Sequence, residues 1–261
     1  MQKKLLFLIP SIILVLSGFF VVYFSLKPEA LPFPFWIFQA ISQITNVLIA
    51  LPILYGLHKW CNWKQDWWKI ILIFSYPLLI ESFAIATGWP YSAFVYGEVL
   101  GDIKIFGLVP WTVSLSWTPI FFLSLVLVQQ LKISKLWLKI ILGAVLMTAF
   151  DLVLDPGATA LGFWVWEIDG WYYGVPLMNF FGWMVTSIIA FAGWYLLFPV
   201  KKHIDKNIGF WLSLSGIWSL AFWIGISAWL GFWWLVLAGI VYMWGVRAVL
   251  NYASTGSANL N

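Results

Sequence analysis

Eight apolar runs follow one another along this chain, with short polar breaks between them: Leu5–Leu26, Phe35–Leu57, Trp67–Thr87, Trp111–Leu131, Leu136–Leu154, Val175–Val200, Ile208–Ile226 and Trp229–Leu250. About 20 residues of helix cross the hydrocarbon core of a bilayer, and lipid offers no partner to an open backbone. Runs of this length therefore fold as membrane-spanning helices. Transmembrane β-barrels are excluded, because their strands alternate apolar and polar residues and these runs do not. No charge separates the last two runs, but a single tilted helix has no use for some 40 residues, and Gly225 to Gly231 supplies a turn between them. The expected fold is an all-α integral membrane bundle of about eight transmembrane helices. It forms one domain over residues 1–250, followed by a polar tail at 251–261 expected to be disordered. The first run is too long for the roughly 7–15-residue core of a signal peptide and lacks a small-residue cleavage site, so it is kept as a span.

Charge is scarce and unevenly placed. Charged residues make up 9% of the chain, against about 25% in soluble domains. The loops alternate in lysine and arginine content. One set holds 12 of these residues (Lys3, Lys4, Lys59, Lys64, Lys69, Lys132, Lys135, Lys139, Lys201, Lys202, Lys206 and Arg247), and the other holds 2 (Lys27 and Lys104). By the positive-inside tendency both termini are cytoplasmic. The net charge of +4 thus orients the protein, and no nucleic-acid partner is expected. A single cysteine, Cys61, leaves no internal disulfide, and His58 and His203 are too few for a histidine-ligated di-iron centre.

The opposite side is acidic and aromatic, with Glu98, Asp102, Asp155, Glu167 and Asp169 in two longer connections over roughly residues 88–110 and 155–175. These two connections resemble each other. In the first, Glu81 precedes Gly88 by seven residues; Phe94-Val95-Tyr96, Glu98 and Gly107-Leu108-Val109-Pro110 follow, with Trp117 seven beyond the proline. In the second, Asp155 precedes Gly162 by seven; Trp164-Val165-Trp166, Glu167 and Gly174-Val175-Pro176 follow, with Trp183 seven beyond. The match is approximate, and convergent loop chemistry at a membrane interface is the alternative to an internal repeat. If the repeat is real, spans three and four pair with spans five and six as two hairpins whose outer loops meet over a shared cavity. The aromatic alternation predicts a short interfacial strand or a re-entrant segment in each loop.

Ionisable groups inside spans are costly and become functional candidates by default. Glu81, Asp151 and Asp155 qualify. Asp151 and Asp155 are four apart and share a helix face. Pro156 biases Asp155 away from helix, so the fifth helix is expected to end there. Carboxyls crowded in low dielectric do not all ionise, so at least one is expected to be a neutral acid, which is a proton donor. Hydrogen bonding between helices is the competing role. Asn179, three residues beyond Pro176, is placed to bind a carboxyl or a water, or to glue helices together. Trp164, Trp166, Trp171, Tyr172 and Tyr173 are interfacial anchors or the lining for a long apolar ligand whose cation their ring faces would stabilise. No dinucleotide fingerprint or P-loop is present.

The stretch from Asp151 through Asp155-Pro156, Trp164-Val165-Trp166-Glu167, Tyr173-Gly174-Val175-Pro176 and Asn179-Phe180-Phe181-Gly182-Trp183 resembles the signature of the CruF-type carotenoid 1,2-hydratases, membrane proteins of carotenoid biosynthesis. Residues 81–117 are similar to that family's other motif region, with Pro90-Tyr91-Ser92 where Pro-Phe-Gly is expected. The resemblance implies addition of water across the terminal 1,2 double bond of an acyclic carotenoid end, as in lycopene, γ-carotene or a longer C50 precursor. It implies no cofactor and no metal, with a carotenoid and water as partners and other carotenoid-biosynthesis enzymes as neighbours in a bacterial or archaeal cytoplasmic membrane. In that chemistry Asp151 or Asp155 is the general acid, while Glu81 and Asn179 place the water. Trp164, Trp166, Tyr173, Trp183, Tyr96 and Trp117 bind the polyene end.

Two other readings compete. Asp151-x-x-x-Asp155 is also the spacing of an aspartate-rich magnesium–diphosphate site, as in a membrane prenyltransferase or cyclase, although no second such cluster is present. A carotenoid-binding or lipid-transport protein would use the same aromatics and acids only to hold its ligand.

Overall fold

The computed structural model describes residues 2–131, 133–198 and 204–255; Met1, Lys132, Pro199 to His203 and the end of the tail lie outside them. Eight helices are long and apolar enough to cross a membrane: α1 (Gln2–Leu26), α2 (Phe35–Trp60), α3 (Trp63–Thr87), α4 (Val113–Gln130), α5 (Leu136–Ala160), α6 (Leu177–Leu197), α7 (Lys206–Trp229) and α8 (Trp233–Thr255). The last helix continues past Asn251 into the polar tail. With an even number of spans, both termini and the lysine-rich connections share one end of the bundle.

Helix α7 is the hub, packing on α1, α2, α4, α5 and α8. Small residues bring the backbones together. A Cβ built on Gly18 would lie 2.8 Å from the Gly225 carbonyl carbon, and one on Gly56 would lie 2.8 Å from the Leu212 side chain. In lipid, where burial of apolar surface drives nothing, such close approach is what holds helices together. Helices α4 and α7 are the most buried, whereas α1 and α8 turn their leucine, isoleucine and tryptophan faces outward to lipid.

The fifth helix does not end at Asp155 as expected. It runs through Pro156 to Ala160. A proline inside a helix leaves the carbonyl four residues earlier without its usual donor, here that of Leu152. The hydroxyl of Tyr172, folded back from the outer loop, donates to that carbonyl at 3.0 Å. Burial, then Tyr173 and Asp151, push the Tyr172 phenol up to about 12, so it remains a donor. Pro10 in α1 is served in the same way, by the Trp218 indole N–H donating to Leu6 O at 3.2 Å. At these two prolines a neighbouring element thus satisfies the freed carbonyl, as membrane helices require. Tyr172→Phe is expected to cost about 1–3 kcal/mol by orphaning a buried carbonyl. Tyr173→Phe, whose hydroxyl makes no bond to the described residues, is expected to stay within about 0.5 kcal/mol. Thermal melts of the detergent-solubilised protein compare the two.

The outer connections meet as expected, through a strand. β1 (Phe94–Tyr96) pairs antiparallel with β4 (Trp164–Trp166), with Phe94 opposite Trp166, Val95 opposite Val165 and Tyr96 opposite Trp164. The register places corresponding residues of the two motifs symmetrically about the Val95–Val165 pair. Each connection also carries a small hairpin: β2 (Lys104–Ile105) with β3 (Val109–Pro110) in the first, and bridges from Gly170 to Gly174 and Tyr172 to Val175 in the second. Both turns have two successive residues at positive φ, Phe106-Gly107 at 52° and 70° and Tyr173-Gly174 at 52° and 83°. That is the turn which joins two-residue hairpins without splaying the strands.

Candidate active site

The β1–β4 ribbon roofs a cavity of about 150 Å³. Two helices deliver carboxylates to it. α3 ends in Gly88 at φ 73°, and α5 ends just before Gly162 at φ 67°. Glu81 and Asp155 each lie seven residues before those glycines, about 10 Å down the helix at 1.5 Å per residue. Both side chains line the cavity and both are buried, at 6% and 1% exposure.

Asn179, in the first turn of α6 after Pro176, joins the acids of α5. Its Nδ2 donates to Asp155 Oδ2 at 2.6 Å and to Asp151 Oδ2 at 3.0 Å. The i, i+4 spacing of the two aspartates lets one amide reach both. Asp151 is wholly buried but does not line the cavity, and its Oδ1 has no hydrogen-bond partner. It stands behind Asn179 and Asp155. Among the described residues none of the three acids has a lysine or arginine partner.

The ribbon supplies polar groups from above. The Tyr96 hydroxyl bonds Glu81, and the Trp164 indole N–H is turned toward Asp155, short of a well-formed hydrogen bond. Burial, then the Glu81 carboxyl, push the Tyr96 phenol well above its usual range, so it stays an O–H donor. Rings close the walls. Trp117 and Trp183, the tryptophans that follow the two prolines by seven residues, stack with centroids 5.9 Å apart and planes 18° apart. Phe94 meets Trp166 at 5.1 Å, and Tyr96 meets Trp164 at 6.0 Å.

Of the residues singled out in the sequence, Glu81, Asp155, Asn179, Tyr96, Trp117, Trp164, Trp166 and Trp183 therefore line one cavity. Tyr173 does not. It meets Phe232 at 4.7 Å with the ring planes tilted by 47°, and it lines a separate shallow pocket with Trp171, Tyr172 and Trp234. Sequence reasoning missed Tyr91, which is 2% exposed, lines the cavity, and donates to Thr186 Oγ1 at 3.0 Å. It occupies the place where the motif departs from Pro-Phe-Gly, and that departure was the available signal. A polar stripe on α2 was also missed. Gln39, Ser42, Gln43 and Asn46 recur at helical spacing within an apolar run, and this i, i+3, i+4, i+7 pattern marks one face.

What the cavity offers is an apolar, ring-lined space with two carboxyls facing it from different helices. Groups of these kinds can move a proton and can stabilise a cation.

Comparison with known proteins agrees with this picture. Residues 38–246 match a family described as carotenoid biosynthesis protein. A bisanhydrobacterioruberin hydratase from Haloarcula japonica is 32% identical over 151 residues, covering 55% of this chain and 49% of the relative. The chain thus spans about half the length of the curated relative it matches. No solved structure matches. The match takes in seven of the eight helices and the whole cavity roof, and the chain belongs to the carotenoid biosynthesis protein family.

Proposed function

We propose that this protein is a carotenoid hydratase, adding water across the terminal 1,2 double bond of an acyclic carotenoid end to give a tertiary alcohol. The observation that carries the reading is the placement of Glu81 and Asp155 at matched depth on two helices, facing one aromatic cavity without a cationic partner. The 32% identity to a hydratase supports the reaction class.

The step balances without a redox partner. Asp155 gives its proton to C2, the new C–H bond takes the alkene electron pair, and a tertiary cation forms at C1. Trp164, Trp166 and Trp183 line the cavity, and stabilisation of that cation by their ring faces is part of this reading. Water held by Asn179 and Glu81 attacks C1 and passes its proton to Glu81. Return of that proton to Asp155 restores the resting site. Asn179 fixes the Asp155 carboxyl, and Asp151 anchors Asn179 from behind. Lysine placement supports an orientation with both termini cytoplasmic and the cavity toward the outer leaflet.

Expression in cells that accumulate lycopene, γ-carotene or a C50 polyene tests the reading. Pigments analysed by chromatography and mass spectrometry are expected to include a product heavier by one water. Unchanged pigments with all three, at good membrane expression, would point to a protein that binds or carries its ligand without converting it.

A further inference from the structure

Carbocation capture at this depth needs water, yet the acids lie under a ribbon of tryptophan, tyrosine and phenylalanine. The side of the cavity lined by α1, α2, α4 and α7, helices that carry none of the acids, forms its second arm. Its lining is unlike the rest. Ser17, Ser42, Thr45, Asn46, Ser116 and Ser219 all line it, each from a membrane-spanning helix.

Some of these groups are engaged. Asn46 donates to Ser42 O at 3.1 Å, and Ser116 donates to Asn46 Oδ1 at 2.8 Å. Thr45 and Ser17 donate to their own helices at Ile41 O and Leu14 O. Their hydroxyl oxygens keep lone pairs that accept from whatever fills the arm. The hydroxyls of Ser42 and Ser219 have no partner among the described residues, although Ser219 is only 6% exposed. These side chains give the arm the two to four polar partners that a buried water needs, where a purely apolar space stays dry. Above the arm the same face of α2 continues to the outer end. There Gln43 accepts from the Trp111 indole at 3.2 Å and Gln39 donates to Glu98 O at 2.8 Å.

We infer that this arm is a water-binding antechamber: it is filled through the polar face of α2 and supplies the water that Asn179 and Glu81 present to the substrate. The second part of that statement rests on the hydration reading; the first does not.

Cysteine accessibility separates them. In a Cys61→Ser background, Ser42→Cys and Ser219→Cys are treated from outside with a small water-soluble methanethiosulfonate, which reacts with thiols only where water reaches them. Ser124→Cys and Ser187→Cys serve as controls, being fully buried serines that do not line the cavity. The arm positions are expected to react at least ten-fold faster than the controls, and equal rates would overturn the antechamber. In the otherwise native chain, Ser42→Ala with Ser219→Ala is then assayed on the polyene. A fall in kcat of about ten-fold at unchanged KM, deepening as an osmolyte lowers water activity, is expected from a water store. A raised KM at unchanged kcat would make the arm a substrate grip and overturn the assignment. Fast cysteine labelling in a protein that converts no polyene would leave a hydrated arm standing and remove hydration instead.

Discussion

Asp155→Asn is expected to leave the carotenoid bound and unconverted, with turnover reduced roughly 10²–10⁴-fold, the usual contribution of a positioned general acid. The substitution keeps the shape of the side chain, and its carbonyl oxygen can still accept from Asn179, so the bundle survives and the loss reads as chemistry. Asp151→Asn supplies the contrast. Asp151 sits off the cavity with one oxygen bound to Asn179 and the other unpartnered. Its neutral replacement is expected to lower turnover only about ten-fold, equivalent to about 1.4 kcal/mol of lost positioning. Pigment turnover measured at matched membrane abundance ranks the two. The opposite ranking would make Asp151 the donor and Asp155 its support.

Glu81→Gln is expected to cost as much, roughly 10²–10⁴-fold, for a different reason. An amide at this position still accepts from the Tyr96 hydroxyl and still lines the cavity, but it cannot take the proton that water releases when it captures the cation. The bound polyene's absorption spectrum should therefore be unchanged while product disappears. Tyr96→Phe removes a single hydrogen bond to Glu81, worth about 0.5–1.5 kcal/mol. It is expected to slow turnover by about ten-fold or less. A Glu81→Gln protein that keeps full turnover would show that the proton leaves by another route.

Much of this arrangement is legible in the sequence because membrane crossing leaves few options. Run length and the alternation of lysine between loops are enough to place all eight helices, and Leu136 and Phe35 start helices where the runs start. The seven-residue spacings from acid to glycine and from proline to tryptophan carry further. They put Glu81 level with Asp155, and Trp117 on Trp183, because each spacing is counted from the same structural event, a helix end or a helix start. The end of α5 was not legible in this way. Proline's local preference argues for a break at Asp155, and what overrides it is a hydroxyl from Tyr172, twenty residues beyond the Leu152 carbonyl that it satisfies. The separation of Asp151 from the cavity was equally hidden, since i, i+4 spacing puts both aspartates on one face without saying how deep that face is covered. Tyr173 misled for the opposite reason. Its neighbours in sequence are aromatic, but the positive-φ turn it forms points it toward Phe232 and away from the acids. The buried position of Asp151 also weighs against the aspartate-rich diphosphate reading, which needs both carboxylates open to one ligand.

Incubating the purified, reconstituted protein with its polyene in ¹⁸O-labelled water asks whether the cavity adds solvent water to a carotenoid double bond. Hydration predicts a tertiary alcohol in which the new oxygen is ¹⁸O at the enrichment of the solvent, formed without added magnesium or prenyl diphosphate and lost in Asp155→Asn. A polyene recovered unchanged by protein that has bound it, or a product whose formation requires a prenyl diphosphate, would contradict it.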